Sequence, residues 1–184
     1  MIHHIDIGLV LRRTVCDLYS DLVTRPTGAA VRLGIEQQLA ETGGRTLTVI
    51  DFSRVGLLDF SCADEIVAKL LLRYCTAEAP RDAYFLFRGV SEAHLDAIEA
   101  VLERHGLAIV AESDDGALKL VGAVSEEERR AWEAICRLGR ALPDDVAREV
   151  GCEPGAGETV LGTLQRLRLV MPLEESLVAV GAVQ

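Results

Sequence analysis

The side chains best able to do chemistry in this chain are five cysteines, four histidines and several paired acids. No two cysteines have the spacing of a CxxC metal or redox pair, and the histidines show neither HExxH nor mixed Cys/His ligand spacing. A Walker loop, a GxGxxG fingerprint and a GxSxG elbow are also absent from the sequence. The paired acids Asp114 and Asp115 fall in a predicted turn, which is typical of solvated charge. The sequence therefore predicts no metal site, no cofactor and no enzymatic activity.

Ser61 stands at the start of a predicted helix. The run from Ser61 to Asp64 has the Ser-x-x-Asp spacing of a capping box, so Ser61 is predicted as the N-cap of a helix that continues to about Tyr74. An N-cap of this type stabilises a helix by about 1 kcal/mol. Asp59, two residues earlier, and Asp51, at the end of the preceding predicted strand, are predicted to accept hydrogen bonds from backbone amides. The alternatives are that Asp59 orients a phospho-acceptor and that Asp51 helps to form a recognition surface.

Arg25 and Arg32 flank the beginning of another predicted helix, which Thr27 caps and which ends at Glu41. Two guanidinium groups near a helix start could contact an anionic ligand. The alternative is a surface ion pair between Arg32 and Glu36, because residues four apart lie on one helix face. The spacing favours the ion pair and leaves the anion contact open.

The first two thirds of the chain alternate strands with helices. Apolar alternation and β-branched runs predict the strands, and apolar residues at helical spacing predict the helices. Residues 15–24 fit a strand or a helix equally well. Such alternation is typical of an α/β layer in which helices pack on a sheet. The predicted strands cover residues 5–11, 46–51, 83–87, 107–111 and 118–121, and the predicted helices cover residues 27–41, 61–74 and 91–105.

A different pattern begins at Ser125, so we place a first domain in residues 1–124 and a second in residues 125–184. The second segment predicts a helix, a short helix, a Pro/Gly turn, a third helix and a β hairpin, which is the order of a winged helix-turn-helix. The predicted fold class is therefore α/β, with a small α+β winged-helix-like domain added. The three helices are predicted at residues 125–139, 144–150 and 159–169, the turn at 153–157 and a hairpin strand at 177–180.

The charge balance argues against a nucleic-acid partner. The chain has 19 Lys+Arg and 29 Asp+Glu, a net charge of −10. Residues 125–184 hold seven arginines against eleven acids, and the third helix has no cation near its start, where base contacts are usually made. We therefore expect the winged-helix-like domain to contact protein or to form a homodimer. The alternative is DNA binding through a basic face of its first helix, which would consist of Arg129, Arg130, Arg137 and Arg140.

Residues 49–61 resemble the centre of STAS domains, the anti-sigma-factor antagonists and their relatives. Those domains have an apolar strand that ends in Asp, a hydrophobic turn and an Asp-Ser-Ser-Gly helix start, and here Asp59-Phe60-Ser61-Cys62 occupies that place. The Arg25-Pro26-Thr27-Gly28 run and the Asp64-Glu65 pair are similar to the STAS-like family of uncharacterised bacterial proteins. The resemblance covers roughly residues 25–120.

The resemblance implies a function in partner switching. In STAS antagonists the second Ser of the motif accepts phosphate from a partner kinase that is also an anti-sigma factor, and Ser61 matches that position. A phosphoryl group adds about −1.5 to −2 charge, enough to reject an acidic partner surface. The alternative is that Ser61 only caps the helix. The implied partner is an anti-sigma factor or a GHKL-type kinase-like regulator, and the implied partner-binding surface consists of Asp59, Cys62, Asp64 and Glu65.

The sequence favours a bacterial cytoplasmic protein. Its longest stretch without Asp, Glu, Lys or Arg is nine residues, 176–184, whereas a membrane helix needs about 20 apolar residues. The N-terminus lacks the basic start and the cleavage site of a signal peptide. We therefore predict a non-catalytic signalling adaptor with no membrane contact. The alternative is a DNA-binding transcription regulator with a STAS-like sensor domain.

Overall fold

A five-stranded sheet lies at the centre of the computed structural model, which describes residues 2–76, 78–151 and 154–182, with backbone only for 154–156. The first four strands are parallel, and the fifth pairs with the fourth in the antiparallel direction. The α/β class predicted from the sequence is confirmed at this level. The strands lie side by side in chain order: β1 (Ile2–Asp6), β2 (Thr46–Asp51), β3 (Ala83–Arg88), β4 (Ala108–Glu112) and β5 (Leu118–Gly122).

Helices cover one face of this sheet. Parallel strands that follow one another in chain order are joined by right-handed crossovers, so the connecting helices lie on the same face. Among the core contacts that result, the ring of Phe85 on β3 lies 5.2 Å from that of Tyr74. The helices are α1 (Ile7–Thr14), α2 (Arg25–Glu41), α3 (Phe60–Ala63), a π-helical segment (Asp64–Lys69), α4 (Leu70–Tyr74) and α5 (Glu92–His105). We call the continuous run from α3 through α4 the central helix.

The strand predicted for residues 5–11 is wrong after Asp6, where α1 begins. Asp6 caps this helix, and its carboxylate accepts a hydrogen bond from the Leu9 amide at 3.0 Å. The apolar residues of so short a segment fit both the strand period and the helix period. The helix is favoured because it brings three of them to one buried face: Ile7, Val10 and Leu11.

The helix α2 begins two residues before its predicted cap. Thr24 is the N-cap, with its hydroxyl accepting from the Thr27 amide at 3.4 Å, so the prediction of Thr27 as the cap is wrong. The undecided stretch 15–24 forms no helix. It is irregular except for one parallel bridge between Leu22 and Leu58.

The elements after β5 follow the predicted order, and the predicted boundary after residue 124 lies between β5 and the next helix. Ser125 and Glu128 form a capping box at the start of that helix. The third helix begins at Pro154, so the predicted turn is helical from residue 154 onward, and Glu153 lies outside the described residues. None of the helices in the described ranges is long and apolar enough to cross a membrane. These elements are α6 (Glu126–Leu138), α7 (Pro143–Val150), α8 (Pro154–Arg166), β6 (Val170–Leu173) and β7 (Ser176–Ala179).

The C-terminal elements pack on the second face of the sheet. Tyr84 and Leu86 of β3 point away from the helical layer, because side chains alternate along a strand. Arg168, just after α8, places its guanidinium group 5.2 Å from the centre of the Tyr84 ring. Gly181 lies so close to Leu86 and Leu118 that a Cβ atom there would be 3.0 Å from both side chains. Both faces of the sheet therefore contribute to one apolar core.

Candidate functional site

The predicted site lies where the chain leaves β2 and enters the central helix, at the carboxyl end of the sheet. Asp51 ends β2, and its carboxylate accepts a hydrogen bond from the Ser53 amide at 2.8 Å. Asp59 is the N-cap of the central helix, with its Oδ1 accepting from the Cys62 amide at 2.8 Å. The predicted role of both aspartates as acceptors for backbone amides is therefore confirmed.

Ser61 lies in the first turn of the central helix, so its prediction as the N-cap is wrong. Asp59 takes that role two residues earlier, and the half-buried Ser61 hydroxyl donates a hydrogen bond to Asp59 Oδ1 at 2.9 Å. Burial raises the pKa of the Asp59 carboxyl, but hydrogen bonds from the Cys62 amide and the Ser61 hydroxyl outweigh it and hold that pKa below its usual value. Asp59 is therefore ionised at neutral pH and fixes the orientation of the Ser61 hydroxyl.

Cys62 is fully buried, so its prediction as part of a partner-binding surface is wrong. Its Sγ lies 3.0 Å from the Thr24 carbonyl oxygen, and burial raises the pKa of the thiol to about 11. Gly28 of α2 packs directly on it, because a Cβ atom at residue 28 would lie 2.9 Å from the Cys62 Cα atom. Cys62 is therefore a neutral packing residue between α2 and the central helix.

Asp64 and Glu65 are also buried, with 7% and 3% of their surface exposed, so their prediction as partner-binding residues is wrong too. Both begin the π-helical segment, and Arg25 Nη1 donates to both carboxylates, at 2.7 Å and 2.8 Å. His105 of α5 lies 2.9 Å from the other oxygen of Asp64, and Lys69 pairs with Glu65. These partners offset the cost of removing two carboxylates from water.

Arg25 and Arg32 face these inward acids. Arg32 pairs with Glu36 at 2.8 Å, as predicted, and its Nε lies 3.4 Å from Glu65 Oε2. Each of the two arginines thus meets two carboxylates. Both guanidinium groups therefore already have carboxylate partners within the protein, which favours the predicted ion pair over the predicted contact with an external anion.

Together these side chains form a network between α2, the central helix and α5, in which all six oxygens of three carboxylates have a basic partner. Burial raises the pKa of Asp64 and of Glu65, but their hydrogen bonds to basic groups outweigh it and hold both pKa values below the usual range. We infer a structural role for this network. We call it the buried ion-pair cluster, and its members are Arg25, Arg32, Glu36, Asp64, Glu65, Lys69, Arg73 and His105.

A group of exposed apolar side chains near Ser61 was missed by the sequence reasoning. Five large residues, between 39% and 90% exposed, lie on two neighbouring segments, 18–23 and 57–60. The hydrophobic turn at residues 57–60 is visible in the sequence, but nothing there shows which of its side chains face solvent. We call this group the helix-start surface, and its members are Leu18, Tyr19, Val23, Leu57 and Phe60.

Backbone hydrogen bonds hold the two segments of the helix-start surface side by side. The Leu22 amide donates to the Leu57 carbonyl oxygen, and the Asp59 amide donates to the Leu22 carbonyl oxygen, both at 2.8 Å. Arg104 of α5 lies 5.9 Å from the centre of the Phe60 ring, within the range of a cation–π contact. These bonds therefore fix residues 20–22 against residues 56–59 in the free protein.

Three comparisons with known proteins give no further guide. The chain matches no protein-family model, no curated protein and no solved structure. Among the described residues, no group of three or more His, Cys, Asp or Glu side chains is arranged to hold a metal ion. The interpretation of this site therefore depends on its geometry: a serine hydroxyl that donates to an ionised aspartate, near exposed apolar side chains.

Proposed function

We propose that this protein is a non-catalytic bacterial signalling adaptor that binds a protein partner through the helix-start surface. The observation that carries the proposal is the exposure of five large apolar side chains on a hydrogen-bonded part of the carboxyl end of the sheet. Exposed apolar groups rimmed by polar residues are typical of protein interaction sites. Following the STAS-like resemblance, the partner is an anti-sigma factor or a GHKL-type kinase-like regulator.

Leu57 and Phe60 are the expected anchors of this contact. They flank Asp59 at the start of the central helix, and both are exposed. Full burial of a side chain of this size contributes about 1.5–3 kcal/mol. Binding energy in protein interfaces is concentrated in a few such anchors, so loss of these two should weaken the complex strongly.

Ser61 gives the helix-start surface a means of control. A partner kinase would transfer the γ-phosphate of bound ATP to Ser61 Oγ, with loss of the hydroxyl proton and release of ADP. The phosphoserine could no longer donate to Asp59 Oδ1, which now lies 2.9 Å away. It would also bring about −1.5 to −2 charge beside the ionised Asp59, and the repulsion would disturb the N-cap next to Phe60.

The geometry gives weaker support to DNA binding by the winged-helix-like part. The tip of its hairpin carries Glu174 and Glu175, and the hairpin contacts the sheet through a hydrogen bond from Arg45 to the Pro172 carbonyl oxygen. Charge on most of its arginines is offset by nearby acids. Five of the seven form ion pairs: Arg130, Arg137, Arg140, Arg148 and Arg168.

Capture of partners from a bacterial lysate, quantified by mass spectrometry, tests the proposal. The bait is the wild type, a Leu57→Ser/Phe60→Ser variant, or a matched Leu33→Ser/Leu138→Ser control whose residues are exposed but lie outside the helix-start surface. We expect the wild type and the control to enrich the same anti-sigma factor or kinase, and the first variant to retain at least about tenfold less of it. Equal capture by both variants would contradict the proposal. Capture of only a second copy of this chain, or of DNA-dependent proteins removed by nuclease, would contradict it as well.

The phosphorylation step has a separate test. Intact-mass analysis after incubation with the captured kinase and ATP should show one added phosphate on the wild type and none on Ser61→Ala. An unchanged mass of the wild type would remove the switch from the account and leave the docking proposal to the capture experiment.

A further inference from the structure

A cleft of about 700 Å³ lies between the amino end of the sheet and the end of α8. Its walls come from residues just before β2, from the start of β3, from the loop after α4 and from α8. This volume is within the range of small-molecule sites, about 300–1,000 Å³. Three arginines line the cleft: Arg45, Arg166 and Arg168.

The charges of this cleft do not cancel. Asp82 is the one acid among its described lining residues, and it accepts from Arg45 Nε at 2.5 Å and from Arg168 Nη1 at 2.7 Å. Arg166 is exposed and forms no ion pair with an acid in the part of the chain that the structure describes. The cleft therefore carries two surplus positive charges in a chain whose net charge is −10. The C-terminal end of α8 contributes only about half a negative charge, which is less than this surplus.

Other polar groups in the cleft are neutral. Burial raises the pKa of the Tyr84 phenol, and burial raises the pKa of the Cys75 thiol to about 11. The Tyr84 hydroxyl lies 3.2 Å from Arg168 Nη1, at the inner wall of the cleft. No second acid is therefore available among the described lining residues to offset the arginines.

Gly162 stands at open space on the α8 wall of the cleft. A Cβ atom at this position would meet no heavy atom within 4 Å, so no packing contact among the described residues requires glycine. Glycine inside a helix lowers helix stability relative to alanine. Gly162 stands one turn before Arg166, and both residues line the cleft.

We propose that this cleft binds a small molecule that carries a phosphate monoester. Arg166 has no acid partner among the described residues and would supply paired N–H donors to the phosphate. Arg45 and Arg168, which already donate to Asp82, would contribute mainly their charge. A phosphate dianion matches the two surplus positive charges. The ligand would contact both the sheet and α8. The site lies at the opposite end of the sheet from the helix-start surface, so it does not depend on the adaptor function.

Calorimetric titration of the full chain tests this site. The probes are inorganic phosphate, a sugar phosphate, a nucleoside monophosphate, succinate as a dicarboxylate, and a short DNA duplex. We expect at least one phosphate monoester to bind, and Arg166→Gln to weaken it by about tenfold or more, because a hydrogen bond to a charged group is lost. The matched control Arg148→Gln, on the exposed face of α7, should leave the affinity unchanged.

A second pair of variants provides a test that does not depend on the folding of Arg166→Gln. Gly162→Asp should abolish binding, because it places a carboxylate in the open space of the cleft, whereas Gly162→Ala should fold and retain binding.

Failure of every phosphate monoester to bind the wild type would overturn the proposal, as would unchanged affinity in Arg166→Gln. Succinate binding with equal affinity would show that the cleft recognises charge alone. Duplex binding that depends more strongly on Arg166 would assign the cleft to nucleic acid. Either result also overturns the proposal.

Discussion

Arginines at the two ends of the sheet have opposite surroundings. At the carboxyl end, Arg25 and Arg32 of the buried ion-pair cluster each meet two carboxylates. At the amino end, Arg45 and Arg168 share Asp82, and Arg166 pairs with no described acid. A guanidinium group held by an acid therefore supports the fold, whereas Arg166, which has no acid partner among the described residues, is available to an external anion.

The two ends also differ in the surface that they offer to a partner. The carboxyl end exposes the apolar helix-start surface, which suits a protein that excludes water from it. The amino end offers a polar cleft with surplus positive charge, which suits a small anion.

Removal of a buried acid should have the largest effect on stability. Glu65→Ala leaves three basic groups without their shared partner, and we expect it to lower the free energy of unfolding by about 3 kcal/mol. The control is Glu174→Ala, because Glu174 is exposed and its ion pair with Arg140 is long, at 3.8 Å. This variant should change stability by less than about 0.5 kcal/mol. Urea denaturation measures both values. Similar losses in the two variants would show that the cluster contributes no more than a surface pair.

Arg168 should show an intermediate effect, since it anchors α8 to the sheet. Its side chain bonds to the Tyr74 carbonyl oxygen at 3.1 Å and to Asp82, while its backbone has a left-handed φ of 61°. We expect Arg168→Ala to lower the free energy of unfolding by about 2 kcal/mol through loss of these bonds. Arg168→Gly loses the same bonds but relieves the strained backbone, so its loss should be about 1 kcal/mol smaller. Equal losses in thermal or urea unfolding would show that the strain is not significant.

The helix start should depend on Asp59 more than on Ser61. Asp59→Ala removes the N-cap, and we expect it to lower stability by about 1 kcal/mol. Ser61→Ala leaves the bond between Asp59 and the Cys62 amide intact, so its effect should be less than half as large. Urea denaturation of the two variants tests the order. A larger loss in Ser61→Ala would restore Ser61 as the capping residue.

The smallest effect is the pH dependence of the buried ion-pair cluster in mild acid. The pKa values of Asp64 and Glu65 are lower in the folded protein than usual, so the stability that they contribute is complete above their usual pKa values of about 3.9 and 4.3. It is lost as the pH falls through the lower pKa values of the folded state. As the pH falls below about 4.3, the wild type should therefore lose stability more steeply than Asp64→Asn/Glu65→Gln. Urea denaturation at several pH values measures this difference. If the stability of the two proteins falls equally with pH, the ion pairs are not the cause of the lowered pKa values.

Local patterns predict much of the fold. The β-branched run of β2 and the capping box of Ser125 and Glu128 depend on neighbouring residues, and both were predicted correctly. The sequence does not predict the first helix, because the apolar residues from Ile7 to Leu11 fit both the strand period and the helix period. Only burial against the rest of the core favours the helix. The cap of the central helix was assigned to Ser61 because Asp59 and Ser61 are both good capping residues.

The functional surfaces depend on distant residues, which a single sequence does not bring together. Burial of Glu65 follows from its contact with Arg25, forty residues away in the chain. Arg45 and Arg166 stand in different halves of the chain, and only the packing of α8 on the sheet places them in one cleft. The sequence therefore shows which side chains are charged or apolar, but only the folded structure shows which of them are exposed.

Hydrogen exchange of the complex with the captured partner tests the docking claim most directly. The account predicts protection of residues 18–23 and 57–61 on binding, while the walls of the cleft exchange as in the free protein. Protection confined to α8 and the hairpin, or exchange at the helix start that binding leaves unchanged, would contradict it.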